Sequence, residues 1–332
     1  MLSRHFLRAK VLQALYAVKI DETHPAKAVR MFDFQIDRLN ELGVRQFSLL
    51  PQMHKVALEL LEVGMKKFRP SKDELNPSKR FVENPFLLQL VGNMDLMLQT
   101  EQRKVDWSDE EDMFKRLYVN FRETTVYKDY ESQTNPTYED HKSLVLQLFK
   151  FLINNTSIRS YFADRGLLWD DDFDQIAQYV YMQLRTITEQ SNEATPIYLQ
   201  SDLRLEADQE ALKFARNLLS DSIRLYDEYV DLVKAHLKGW DFERVAMMDV
   251  LILVMAITEF TEFESIPERV TIDEYIELSK EFSTDRSKLF VNGILDKIVL
   301  KLRSEKRIHK SGRGLYVPGL DEADNGFDED NQ

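Results

Sequence analysis

The sequence predicts an all-α protein, and three observations carry that prediction. Gly and Pro number only 10 and 9 among 332 residues, so turn-forming positions are few and the elements between them are long. Leu, Glu, Lys, Gln, Met and Ala are frequent, and these side chains lose little freedom in a helix. Apolar residues recur at three- and four-residue spacing, and no alternating runs joined by hairpin turns occur.

The elements follow in order. Over residues 3–18, Leu7, Val11, Leu12, Leu15 and Tyr16 make one apolar face, while Arg4, Arg8 and Lys10 are read onto the opposite, solvent-facing side. Two helical stretches are expected between Pro25 and Arg69, closed by Pro70 and Ser71, and a third over 84–103. Ser108-Asp-Glu-Glu111 has the pattern of a capping box, in which serine and glutamate each satisfy the other's orphan N–H. A polar, tyrosine-bearing loop is expected over 127–138, then helices over 138–154, 169–188 and 206–238.

The run Val250-Leu-Ile-Leu-Val-Met-Ala-Ile257, within a helix over 245–260, is apolar on all sides. A helix with no polar face belongs at the centre of a core. Pro267 separates it from a helix opening at a second capping-box pattern, Thr271-Ile-Asp-Glu274. The last helix is expected over 285–303, with Phe290, Val291, Ile294, Leu295 and Ile298 inward. Gly293 inside it costs about 1 kcal/mol relative to Ala, which points to a close approach of a neighbouring helix.

Charge and composition exclude several classes. The net charge is −13, which argues against nucleic-acid binding by the whole surface. The distribution is uneven, however. Residues 1–20 carry Arg4, Arg8, Lys10 and Lys19 with no acid, and residues 301–313 carry six cations against Glu305. From Asp321 onward there are six acids and no base. With no cysteine, disulfides, thiolate metal sites and thiol nucleophiles are ruled out, in keeping with a reducing, cytoplasmic setting. The six histidines are scattered without metal-ligand spacing, and no apolar run reaches the ~18 residues of a membrane span. No catalytic residue, cofactor motif or metal site is expected, so the chain reads as a non-enzyme.

The C-terminal third resembles a known family. Arg269-Val-Thr-Ile-Asp-Glu274, Ile276-Glu-Leu-Ser-Lys280 and Leu289-Phe-Val-Asn-Gly-Ile-Leu-Asp-Lys297 resemble, in order and spacing, the signature of the NusB family. Val245–Leu253 is similar to that family's buried helix, and Ala215-Arg-Asn-Leu-Leu219 to the start of the helix before it. Leu12-Gln-Ala-Leu-Tyr16, preceded by Arg4 and Arg8, is similar to its arginine-rich first helix.

The resemblance implies a pair of antiparallel helical bundles. It also implies an RNA-binding transcription antitermination factor that holds boxA-type single-stranded RNA together with a NusE-like ribosomal protein, within an RNA polymerase antitermination complex that supports ribosomal RNA synthesis. The departures are a long helical insertion over about 20–205, His5 and Phe6 where further arginines are expected, and Asp285-Arg286 in place of a more acidic stretch before Phe290-Val-Asn-Gly293. The domain division expected is 1–205 as an enlarged N-terminal bundle, 206–310 as the NusB-like C-terminal bundle, and 311–332 as an acidic, disordered tail.

The candidate RNA-binding residues are Arg4, Arg8, Lys10, Tyr16, Lys288, Phe290 and Asn292. Arginine offers a planar fork for phosphate and a stacking surface for bases, and aromatic rings stack unpaired bases. Lys288 and Asn292 share a helix face at i, i+4. The plainer readings are a solvated helix face for the cations, core packing for Tyr16 and Phe290, and a local hydrogen bond for Asn292. The basic run 301–313 reads as a frayed helix end whose cations suit the dipole, with a secondary RNA contact as its alternative. A competing function is a helical protein–protein scaffold in transcription or ribosome biogenesis that does not itself bind RNA.

Overall fold

A computed structural model of the chain describes residues 3–21, 24–65, 77–197, 206–237 and 241–315. Among these residues there are fourteen α-helices and no strand. They fall into two compact units, one of residues 1–35 with 203–332 and the other of residues 36–202. The boundary differs from the expected 1–205/206–310 division because the first helix packs on the C-terminal helices. The stretch set apart as 311–332 is described only to Leu315, and the acidic residues from Asp321 lie outside the described residues.

The first unit contains α1 (Arg4–Asp21), α10 (Glu206–Arg224), α11 (Tyr226–His236), α12 (Met247–Glu262), α13 (Glu268–Phe282) and α14 (Ser287–Ser304), with the opening turns of α2 (Pro25–Met65). Helix α12 is the apolar helix of the sequence, and every residue from Asp249 to Phe260 is buried. It touches α1, α10, α11, α13 and α14, which is the surrounding that an all-round apolar surface requires. Asp249 in its first turn accepts a hydrogen bond from Ser287 at 2.9 Å. That bond ties the start of α14 to the start of α12.

The second unit holds the rest of α2 together with α3 (Pro85–Val91), α4 (Met94–Gln102), α5 (Glu111–Arg122), α6 (Thr125–Ser132), α7 (Tyr138–Ile153), α8 (Thr156–Ala163) and α9 (Leu167–Thr186). Its core is aromatic: Trp107 packs on Phe114, Tyr161 and Phe162, and Phe162 packs on Trp169 and Phe173. Both indole N–H groups find acceptors, Trp107 on Ser48 Oγ and Trp169 on the Arg38 carbonyl, as buried tryptophans require.

Several expectations are corrected. One helix, α2, replaces the two expected over 25–69 and runs through Pro51; residues 66–76 lie outside the described residues. A proline inside a helix costs about 3 kcal/mol. Around it Phe47, Leu49, Leu50, Met53, Val56 and Ala57 are buried, and fully burying one such large side chain offsets about 1.5–3 kcal/mol. The stretch 84–103 is split at Gly92-Asn93, where the Asn93 side chain caps α4 through Leu96 N–H. The expected loop over 127–138 contains helix α6, because Tyr127 and Tyr130 are buried.

Neither expected capping box forms. Ser108 sits in a short 3-10 turn and donates to Asp106. Thr271 lies inside α13 and donates its hydroxyl to buried Glu259. A capping box does form between Thr137 and Asp140 at the start of α7. Gly293 is not a close approach either: a Cβ built there meets nothing within 4 Å, because the residue lies on the half-exposed flank of α14.

The basic run 301–313 is an anchored strap rather than a frayed end. Lys306 adopts a left-handed φ of 55°, and the Arg307 N–H returns to the Leu302 carbonyl at 2.9 Å, closing α14. Beyond it, Lys310 Nζ donates to the carbonyls of Glu259 (3.3 Å) and Phe263 (2.8 Å). A cation on the last carbonyls of a helix satisfies orphan acceptors and suits the dipole. Ser311 donates its N–H to the Glu264 carbonyl and its hydroxyl to the Glu264 carboxylate, both at 3.0 Å. Gly314 packs so tightly there that a Cβ would collide with the Glu264 carbonyl oxygen.

Candidate nucleic-acid interface

Helix α1 opens at Ser3, whose hydroxyl accepts from Phe6 N–H at 3.1 Å. This is the N-cap geometry that serine favours. Arg4 is exposed, with its guanidinium 5.2 Å from the centroid of Phe214. His5 stands between two carboxylates of α13, Nδ1 at 2.9 Å from Glu274 and Nε2 at 3.0 Å from Glu281. Burial pulls its pKa down, but hydrogen bonds and charge from Glu281 and Glu274 outweigh burial and hold it above 6.5.

Arg8 is not on the outer face. Only 1% of it is exposed, and it makes a bidentate pair with Glu259, Nε and Nη2 each at 2.7 Å from a carboxylate oxygen. Its Nη1 stands 3.3 Å from Glu274. Glu259 also accepts the hydroxyls of Thr271 (2.8 Å) and Tyr275 (3.2 Å). The buried charge is therefore paired and hydrogen-bonded on both oxygens, as burial demands. Burial opposes the guanidinium charge, but Glu259 outweighs it, with help from Tyr275 and Glu274, and the Arg8 pKa rises.

The reason for Arg8's position is angular. At 100° per residue, positions 8, 12 and 15 share one side of α1, and Leu12 and Leu15 are fully buried. Lys10 is likewise only 3% exposed, and Phe6 and Ala14, one turn to either side of it, are buried. Its ammonium donates to Gln13 Oε1 at 3.0 Å and lies 5.4 Å from the Phe6 ring. Of the three cations read onto the outer face, only Arg4 is exposed.

The structure leaves the other candidates open to varying degrees. Tyr16 is 39% exposed. Lys288 is exposed, and Phe290 and Asn292 are half-buried. The two parts of the expected site meet one helix end. His5 is paired with Glu281, next to the last residue of α13, and Ser287 begins α14 five residues on from Phe282. Ser283 and Thr284 in that turn contact Ser287 Oγ, each through a hydroxyl at 2.9 Å.

Three positions that shape this region are not among the candidate residues drawn from the sequence. Glu259 is the first: a lone acid within an apolar helix needs a cationic partner inside the core, and that signal was available. His5 is the second, dismissed as a missing arginine. Arg313 is the third. It lines, with Arg4, Arg8 and Glu274, an open groove of about 770 Å3 whose apolar floor includes Ile266 and Val270. Nothing in local sequence announces that Arg4 and Arg313 share a groove, since the strap brings them together.

Comparison with known proteins agrees with this architecture. The NusB family model matches residues 173–300. A protein of Salinibacter ruber named Transcription antitermination protein NusB is 39% identical over 117 residues, 35% of this chain and 72% of that protein. The chain belongs to the NusB family. NusB proteins of the same name from Chloroherpeton thalassium and Gloeobacter violaceus are 36% and 37% identical, over 33% and 32% of this chain. The chain spans only about half the length of those two relatives, 52% and 50%. No solved structure matches it.

Within this NusB-family chain, the family match stops at residue 300, so the anchored strap and Arg313 lie beyond it. Among the described residues no group of three His, Asp or Glu side chains is arranged to hold a metal. No described helix is long and apolar enough to cross a membrane.

Proposed function

We propose that this NusB-family protein is a transcription antitermination factor that binds boxA-type single-stranded RNA with a NusE-like ribosomal protein, as part of an RNA polymerase antitermination complex serving ribosomal RNA synthesis. The observation that carries this reading is the family membership, through relatives named for transcription antitermination. The site geometry supports it. Exposed Arg4 and exposed Lys288 come from the two helices that adjoin the C-terminal end of α13, with Tyr16, Phe290 and Asn292 offering rings and an amide at partial exposure.

In this reading Arg4 and Lys288 meet phosphate, and the aromatic rings stack unpaired bases. Arg8 and Lys10 act as positioning residues, since their charges are spent inside the protein. Binding is carried by few cations, so its salt dependence is shallow, with a slope of about −0.7 per phosphate neutralised for a single strand. A gel-shift series with boxA RNA, with and without the ribosomal partner, tests it. Arg4→Ala with Lys288→Ala should weaken binding by at least tenfold; wild-type affinity in that double variant contradicts the site.

The scaffold reading without RNA binding has an observation in its favour. Two of the three α1 cations expected to face RNA, Arg8 and Lys10, are internal. The second unit also presents an open cleft of about 930 Å3 lined by Pro51, Leu90, Met94, Met97, Leu98 and Trp107. Capture of the ribosomal partner with no protection of RNA in a footprint separates the two readings.

A further inference from the structure

The groove between α1, α13 and the strap is built for an acidic occupant, and the chain carries one. Among the described residues neither Arg4 nor Arg313 is ion-paired, and both are exposed. Arg8 beneath them is already matched by Glu259 and Glu274, and Glu274 is also held by His5. Two cations therefore remain over a floor of Ile266, Pro267 and Val270.

The strap fixes where the chain leaves this groove. Lys310 and Ser311 hold it to the end of α12, and Gly314 seats it against the Glu264 backbone. Leu315, 67% exposed, then lines the groove itself. Residues 316–332 continue from that point with Asp321, Glu322, Asp324, Asp328, Glu329 and Asp330 and no Lys or Arg, and with Tyr316, Val317 and Leu320 ahead of the acids.

We propose that residues 316–332 dock in cis into the groove, their carboxylates on Arg4 and Arg313 and their apolar residues on Ile266 and Val270. Asp321 is six residues beyond Leu315, a reach of up to ~20 Å, enough to cross a groove that starts at Leu315. Tethering sets an effective concentration in the millimolar range, so contacts too weak to hold a free peptide hold this one. Carboxylates on guanidinium groups are screened by salt, with a Debye length of ~3 Å at 1 M. Docking is therefore reversible and salt-sensitive.

A consequence rests on the RNA-binding reading above. The docked segment covers Arg4, so RNA must displace it, and apparent affinity falls by the fraction of open groove. Docking itself does not depend on that reading.

The absence of cysteine allows a unique label. A photoactivatable benzophenone on Asp324→Cys in the full chain should cross-link to the start of α1 and to residues 264–274. The yield should fall at least fivefold in 1 M salt and in an Arg4→Glu/Arg313→Glu background. Neutralising the other five acids as amides, which leaves the groove untouched, should reduce the yield equally. Cross-links that ignore both sets of substitutions, or that scatter over residues 36–202, overturn the proposal. Truncation after Leu315 should raise affinity for boxA RNA several-fold at low salt. If the cross-link forms as described and no form of the protein binds RNA, docking stands and the RNA-binding reading falls.

Discussion

Arg4 and Arg8 lie one turn apart on the same side of α1, and they meet opposite environments. Around Arg8, Glu259, Glu274, Thr271 and Tyr275 close a buried cluster in which every charge is paired. Around Arg4 the groove is open, and its two unpaired cations face solvent. The difference teaches that an arginine-bearing helix divides its labour by depth. One arginine locks the helix to the core, and the other stays exposed over the groove beside that lock.

The largest expected effect comes from breaking the buried side. Removing one partner of a buried ion pair strands the other and costs about 3–5 kcal/mol. Arg8→Ala and Glu259→Ala should each cost that much in denaturant melts that follow the first unit. Because they break the same cluster, the double variant should cost far less than the sum. Additive losses would show that the two side chains do not act as a pair.

A smaller effect is expected where the strap is seated. Gly314→Ala puts a methyl group against the Glu264 carbonyl, and overpacking of this kind costs about 1–3 kcal/mol unless the segment moves. Movement of the strap would free Lys310 from the carbonyls of Glu259 and Phe263. Hydrogen exchange should then quicken at residues 307–315 while α12 stays protected.

The smallest effect joins the two environments. His5 shares Glu274 with Arg8 and is held above 6.5, its hydrogen bonds to Glu281 and Glu274 outweighing burial. A raised folded-state pKa means protonation favours the folded state. The contribution is complete below pH 6.5 and is lost as pH rises through the folded value. The stability difference between wild type and His5→Gln should accordingly shrink from pH 6 to pH 8. A difference that grows over that range would contradict the two-carboxylate geometry.

How much of this was legible depended on the kind of signal. Helix α12 was readable because an all-round apolar run has only one place to go. The Phe290–Gly293 segment carried the family, yet Gly293 fills no close contact, so the motif was legible and its physical reason was not. Arg8 was misplaced because a cation flanking an apolar stripe is read outward by default, although its 40° separation from Leu12 put it on the buried side. Glu259 alone hinted otherwise. The Arg4–Arg313 groove depends on the strap turning back after Lys306, a tertiary event with no local periodicity to announce it. In the second unit, burial of Tyr127 and Tyr130 made a helix out of a stretch whose polarity suggested a loop.

The division of labour between the two arginines is tested most directly by measuring RNA affinity and stability side by side in Arg4→Ala and Arg8→Ala. Exposed Arg4 makes no ion pair among the described residues, so Arg4→Ala should weaken boxA RNA binding while stability stays within about 0.5 kcal/mol of wild type. Arg8→Ala should lose about 3–5 kcal/mol of stability, and any RNA binding it loses should return under conditions that restore the fold. Full stability in Arg8→Ala together with lost RNA binding, or undiminished RNA binding in Arg4→Ala, would contradict the account.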